Sequence, residues 1–452
     1  MDKLTLVEVA KVTGAEKNSD AEIFFSEVLT DSRKISDGSL FVALKGENFN
    51  GEDFAAEALR KGAAAVLVSK DFDKNLDGIV LKVDDTLTAY RQIAGAWRNR
   101  FNIPIVAVTG SNGKTTTKDL TAAALNELGQ VLKTSGNFNN EVGVPMTLLS
   151  LNENHKAAVV EVGMRGLGQI ATLAKFIKPT IGILTNVSEA HIELLGSIEN
   201  IARAKSELVE AIHSGGTIIL NADNPHTAAM KNLAGEGVNV VMYGVEKPAD
   251  LTAKKILVGR MSTEFVLSYR GEDFLFGIPM IGRHNVSNSL AAIAAGLTLG
   301  LSLDEIKRGI AGLMTTKMRF EFIHRDGLTI INDAYNASPA SMKASIRTAA
   351  EVCDGRLIAV LGDMLELGDI AERVHREIGA ELFANKFDTL ITLGTLGKFI
   401  AEGARDAGLK NVYTLNTHEE AAKKILEIVK DGDTILFKAS HAMRLEKIIE
   451  LI

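Results

Sequence analysis

Short uncharged apolar runs and helically spaced segments follow one another along most of this chain. Ile105-Val106-Ala107-Val108, Ala157-Ala158-Val159-Val160, Ile181-Gly182-Ile183-Leu184 and Thr217-Ile218-Ile219-Leu220 are separated by stretches of helical periodicity. Strands buried on both faces read in this way, so the alternation predicts a mostly parallel sheet with helices on both sides. Lys118 to Leu128 reads as a helix entered through a glycine-rich turn. A second series begins near Thr315, with strands expected at 328–331, 357–360, 389–392, 412–415 and 434–437. Before residue 100 the elements are shorter, with an amphipathic run over 54–59 and a strand over 64–68. The pattern predicts an α/β chain of three domains, 1–100, 101–314 and 315–452.

Composition narrows the classes. A chain of 452 residues exceeds what one hydrophobic core usually supports. Its net charge of -7 argues against a nucleic-acid partner, which would need a basic face, but leaves room for a local basic pocket. No apolar run approaches the ~20 residues needed to span a bilayer, and the start lacks a signal-peptide core. A soluble, cytoplasmic protein without membrane insertion is expected. Cys353 is the only cysteine and ends a small-residue helix, so a packed thiol is expected and neither a disulfide nor a cysteine zinc site.

The candidate chemistry lies at strand ends. Thr109-Gly110-Ser111-Asn112-Gly113-Lys114-Thr115-Thr116 follows a strand and opens a helix, the setting of a phosphate loop. Val108 stands where the common eight-residue pattern begins with glycine, so this is a variant form. Backbone N–H groups would meet phosphate oxygens, Lys114 would reach the β and γ phosphates, and the Thr115 hydroxyl would ligate magnesium. ATP with magnesium is the expected ligand. Glu161, His191, Asp333 and Lys438 also follow predicted strands, where open α/β sheets place ligands. Lys205 sits in a strongly helical segment beside Glu207 and Glu210, and spacing alone reads it as a solvated helix face.

With these residues assembled, the chain resembles the Mur ligases, the ATP-dependent amino-acid-adding enzymes of bacterial peptidoglycan synthesis, over nearly its whole length. Thr30-Asp31-Ser32-Arg33 and Gly38 to Leu44 resemble the family's UDP-sugar segment, Thr109–Thr116 its phosphate loop, and Asn285-Val286-Ser287-Asn288 the helix that approaches adenine. Asn137 to Pro145, Asp333-Ala334-Tyr335-Asn336-Ala337-Ser338-Pro339, and Gly362 to Gly368 followed by His375 are similar to the member that joins D-alanyl-D-alanine to UDP-N-acetylmuramoyl tripeptide. Departures from family patterns are Ser206 after Lys205, Asn50-Gly51-Glu52, Asn332 before Asp333, and Ala439-Ser440-His441.

The resemblance implies a small mixed α/β UDP-binding domain (1–100), a central P-loop ATPase-like parallel sheet that binds ATP (101–314), and a C-terminal Rossmann-like ligase domain (315–452). It implies one magnesium on Thr115 and Glu161, a second held partly by His191, and a carbamylated Lys205. Arg319 and Asp333 would contact phosphate and ribose. Gly110, Ser111, Asn112, Gly113, Lys114, Thr115, Thr116, Asn285 and Asn288 would hold the nucleotide. Ser32, Arg33, Asn139, Asn140, Tyr335 and Asn336 would hold the substrates. Lys114, His191, Lys205 and Arg319 would serve catalysis, and the enzyme would act as a monomer on small molecules. A sister ligase, a folylpolyglutamate synthase, and a nucleotide-binding regulator without catalysis are the alternatives.

Overall fold

The computed structural model describes residues 4–46, 49–313 and 318–452. They form two compact units, 1–107 with 128–164 and 169–180, and 108–127 with 165–168 and 181–452. The expected division at 314 lies outside the described residues.

The first unit holds a five-stranded sheet in the order Glu16–Lys17, Ile79–Val83, Ala65–Ser69, Leu40–Val42, Val28–Leu29. All neighbours are parallel except the Glu16–Lys17 edge. Phe41, Val66 and Val68 pack against Ala55 and Ala58, the buried stripe of the helix Ala55–Arg60. The amphipathic run at 54–59 and the strand at 64–68 therefore fold nearly in the expected register. In the same unit His155–Glu161 pairs in parallel with Gln130–Lys133.

In the second unit, Ile181–Leu184, Thr217–Asn221, Asn239–Gly244 and Leu251–Val258 lie side by side in parallel. Thr263–Tyr269 and Glu272–Ile278 then extend this sheet as an antiparallel ribbon. The ribbon departs from the mostly parallel expectation, and its pattern explains why. Buried Thr263, Phe265 and Leu267 alternate with less buried neighbours, a period of two rather than a continuous apolar run. Its turn is Arg270-Gly271, where φ is +51° and +82°, values that suit a two-residue hairpin.

A six-stranded sheet closes the second unit. Its order is Glu321–Arg325, Leu328–Asn332, Thr434–Lys438, Leu357–Leu361, Thr389–Leu393, Asn411–Leu415, and only the first strand is antiparallel. Alternate residues of each strand feed separate cores, Ala359, Leu361 and Leu390 on one face and Ile358, Val360 and Ile391 on the other. Each predicted strand of this series is present within a residue of its expected ends. Among the described residues, no helix is long and apolar enough to cross a membrane.

Candidate active site

The glycine-rich loop leaves the strand Ile105–Thr109 and enters the helix Lys114–Ala124 directly. The helix thus starts four residues earlier than its apolar periodicity suggests, because the loop threonines are themselves its first turn. That turn's N–H groups have no acceptor within the helix and make a positive end for an anion. Two glycines fit by necessity. A Cβ at Gly110 would stand 1.8 Å from Thr185 Oγ1, and one at Gly113 would stand 2.5 Å from Asn288 Oδ1, with φ at +78° there.

A neighbouring strand end holds the loop in shape. The Asn186 side chain accepts from the Asn112 amide at 3.0 Å and donates to the Asn112 carbonyl at 3.0 Å. Thr185 Oγ1 donates to the same carbonyl at 2.6 Å. The Ser188 amide donates to Ser111 Oγ at 2.9 Å, and Asn112 Nδ2 donates to Ser188 Oγ at 2.9 Å. Lys114 Nζ donates to the Gly110 carbonyl at 2.9 Å. Asn285 and Asn288 lie buried on the helix Arg283–Thr298, where Asn288 accepts from Thr117 Oγ1 at 3.2 Å and donates to Asn285 at 3.2 Å.

His191 and Lys205 belong to the same unit. His191 precedes the short helix Ile192–Leu195 with φ at +68°, and its Nδ1 meets a carboxylate oxygen of Glu366. Burial lowers the imidazole's pKa, the Lys114 charge adds to this, and Glu366 opposes it. Lys205 overturns its solvated reading. Its residue is 2% exposed, because the helix Ile198–Glu210 turns this side inward while Glu207 and Glu210 point elsewhere. Burial, then the Lys114 charge, holds the amine well below the ordinary lysine range, which favours its neutral form.

Residues flanking the strands of the six-stranded sheet reach the loop. Arg319 donates to Thr115 Oγ1 at 3.0 Å, and its guanidinium carbon lies 4.2 Å from the centre of the Tyr335 ring. Met318 and Phe320, on either side, both have left-handed backbone, with φ at +61° and +53°. Ser338 Oγ donates to Asn112 Oδ1 at 2.6 Å. Asp333 is committed internally: Oδ1 accepts from the Phe320 amide at 3.1 Å, and Oδ2 accepts from Ser345 and, at 2.6 Å, from Lys438 Nζ. Lys438 also donates to the Asn336 carbonyl at 3.0 Å. Asp333 thus anchors the Arg319 turn as well as standing at a strand's carboxyl end.

The remaining candidates lie in the first unit. Glu161 Oε1 accepts from Asn139 Nδ2 at 2.7 Å, whereas Oε2 is buried without a hydrogen-bond partner among the described residues. A buried carboxylate oxygen left unpaired is costly unless a cation completes it, so this residue fits a magnesium ligand. Asn140 caps the turn into Gly143–Leu149, accepting from the Gly143 amide at 2.9 Å. Arg33 is bonded twice to Asp31, at 2.8 Å each, which holds the Asp31 carboxyl down at about 2. Ser32 opens the same single turn.

Among the described residues, no cluster of three or more His, Cys, Asp or Glu side chains surrounds a metal position. Magnesium does not require such a cage, since it usually keeps several waters and takes one or two carboxylates with substrate phosphates. Asn186, Ser188 and Ser338 also shape the loop, a role that the sequence alone does not show. Only the strand-end placement of Thr185–Ser188 could have signalled the first two.

Three family profiles match: "Mur ligase family, catalytic domain" at 25–98, "Mur ligase middle domain" at 108–296, and "Mur ligase, glutamate ligase domain" at 318–441. The UDP-N-acetylmuramoyl-tripeptide–D-alanyl-D-alanine ligase of Bacillus subtilis is 40% identical, over 98% of this chain and 96% of its own. A crystal structure of MurF from Acinetobacter baumannii superposes with a TM-score of 0.92 at 30% identity, covering 100% of this chain and 99% of that one. MurF ligase of Thermotoga maritima, solved in complex with ADP, gives 0.84 at 29% identity, over 94% and 96%.

Proposed function

The chain belongs to the Mur ligase family, and we propose that it joins D-alanyl-D-alanine to UDP-N-acetylmuramoyl tripeptide at the expense of ATP. The observation that carries this reading is likeness to the B. subtilis ligase over 98% of the chain, with an intact loop at Gly110–Thr116 entering a helix. A carboxylate is a poor electrophile. In this reading the tripeptide's terminal carboxylate oxygen attacks the γ-phosphorus, ADP leaves, and an acyl phosphate forms. The amine of D-alanyl-D-alanine then attacks the acyl carbon, its proton is lost, and inorganic phosphate departs as the amide forms.

The residues divide this work. Loop amides and Lys114 orient the phosphates and offset their charge, and Asn285 and Asn288 line the side toward the base. Arg319, held over the Tyr335 ring, is placed to meet charge on the transferring group. Thr115, Glu161, His191 and Lys205 are the residues assigned to magnesium, which when bound supplies Lewis-acid stabilisation of phosphoryl oxygens. Lys205 carries a carbamate in this reading. Its buried neutral amine is suited to add carbon dioxide with loss of a proton, and the two new oxygens would replace a cation with hard donors. Ser32 and Arg33 take the UDP-sugar, and Asn139, Asn140, Tyr335 and Asn336 the peptide ends. The three family matches support the division into UDP-binding (1–100), ATP-binding (101–314) and C-terminal (315–452) domains. A cytoplasmic monomer completes the reading, with sedimentation as its check.

The deciding experiment is phosphate release with UDP-N-acetylmuramoyl tripeptide, with and without D-alanyl-D-alanine. Turnover that needs both substrates is expected. Equal release with another amino acid, or with none, would reassign the acceptor.

A further inference from the structure

We propose that Glu366 is a positioning residue for His191, fixing which imidazole nitrogen is free to bind metal; this rests on the function proposed above. The segment Gly362 to Gly368 follows the strand Leu357–Leu361. In the structure nearly every residue of it is tied down. The Asp363 carboxylate accepts from the amides of Thr395, Leu396 and Gly397 at 3.1, 2.9 and 2.8 Å, ahead of the helix Gly397–Ala407. The Met364 amide donates to His375 Nε2 at 3.0 Å, and the Leu365 amide donates to Ser440 Oγ at 2.9 Å. Met364 and Leu367 are buried in the core of the six-stranded sheet.

What this scaffold presents is Glu366. Its backbone is left-handed, at φ +63°, as is that of His191 at +68°. Non-glycine residues hold that conformation where their surroundings over-determine it. Glu366 Oε2 meets His191 Nδ1, its Oε1 accepts from Arg165 at 3.3 Å, and its carbonyl accepts from the Glu193 amide at 3.3 Å. Ile192 packs against the same core as Met364 and Leu367. The turn that carries His191 is therefore gripped through its side chain, its backbone and its neighbour.

A carboxylate can only accept, so Nδ1 carries the proton, and in the neutral ring Nε2 keeps its lone pair. That is the arrangement by which an outer carboxylate orients a metal-binding histidine and raises its basicity. The histidine lies in the segment matched by the middle-domain profile and the glutamate in the segment matched by the glutamate-ligase profile. The ring of His191 is thus held by a contact between these two segments.

The test is the 15N spectrum of the full-length protein's imidazoles, with His191 assigned by its loss in His191→Asn, together with Mn2+ affinity in the presence of ADP. Wild type should show protonated Nδ1 and bare Nε2. Glu366→Ala should mix the tautomers and weaken Mn2+ by about 10–100-fold. Glu366→Gln, which keeps an acceptor, should hold the tautomer and stay nearer wild type. A proton on Nε2 in wild type, or Mn2+ affinity within twofold in Glu366→Ala, would overturn the proposal. If Glu366→Ala does not fold, the wild-type tautomer alone decides. A wild type that turns over substrate yet fails these tests sinks only this inference, whereas one that binds neither Mn2+ nor ADP sinks the reading beneath it too.

Discussion

The Lys205 amine is buried, and moving it out of water makes stability depend on pH. In the unfolded chain the amine titrates near about 10.4, and in the folded protein it titrates well below that. Between the two values the unfolded chain binds a proton that the folded one lacks, so stability rises with pH. The cost of burial is complete below the folded value and vanishes above the unfolded one. Lys205→Met should therefore raise the melting temperature at pH 7 in bicarbonate-free buffer by at least about 2 °C, the equivalent of ~1 kcal/mol in a unit of this size. The gap should close as pH approaches 10. An unchanged or lower melting temperature at pH 7 would show that the amine finds stabilising company inside. If Lys205 carries the proposed carbamate, turnover of the same variant should be nearly lost, because methionine cannot hold that group.

At the level of elements, strands buried on both faces were legible because continuous apolar runs between helices allow few other readings. The central strands of the six-stranded sheet follow that rule, from Leu357–Leu361 to Thr434–Lys438. The antiparallel ribbon was not legible by the same rule, since its signal is alternation. Nor was the brace beneath the phosphate loop. Asn186 looks like one more polar residue after a strand, and only the fold shows it gripping both backbone groups of Asn112. Removing that grip should loosen the loop without touching nucleotide directly. Asn186→Ala should weaken fluorescent-ADP binding about tenfold, in line with ~1–3 kcal/mol for two lost polar contacts. Affinity within twofold of wild type would mean that Thr185 and Ser188 suffice.

Across the whole molecule, candidate residues for the UDP-sugar and for the nucleotide fall in different compact units. Single substitutions should therefore separate their kinetic effects. Arg33 is held by Asp31, and its side chain is 85% exposed and available to a ligand. Arg33→Ala should raise the apparent KM for the UDP-tripeptide about tenfold, the loss of one charge-assisted contact, and leave KM for ATP unchanged. A shift confined to ATP would move the UDP site elsewhere. The strand-end positions of the candidate residues were readable from the sequence, but their partners were not, because pairs such as Arg319 with Thr115 lie far apart in the chain.

Arg319 and magnesium compete at Thr115 in the proposed site. The Thr115 hydroxyl that accepts from Arg319 is the oxygen assigned to magnesium, and a guanidinium cation at 3.0 Å repels a divalent one at the same oxygen. The two occupants are linked, and linkage is reciprocal: whatever affinity the metal loses to the arginine, the arginine's tether loses to the metal. Rising magnesium at fixed ADP should then free the Arg319 turn and speed tryptic cleavage there. In Thr115→Val, which deprives both of the oxygen, cleavage should be fast at every magnesium concentration. A cleavage rate that ignores magnesium in the wild type would show that the two never compete.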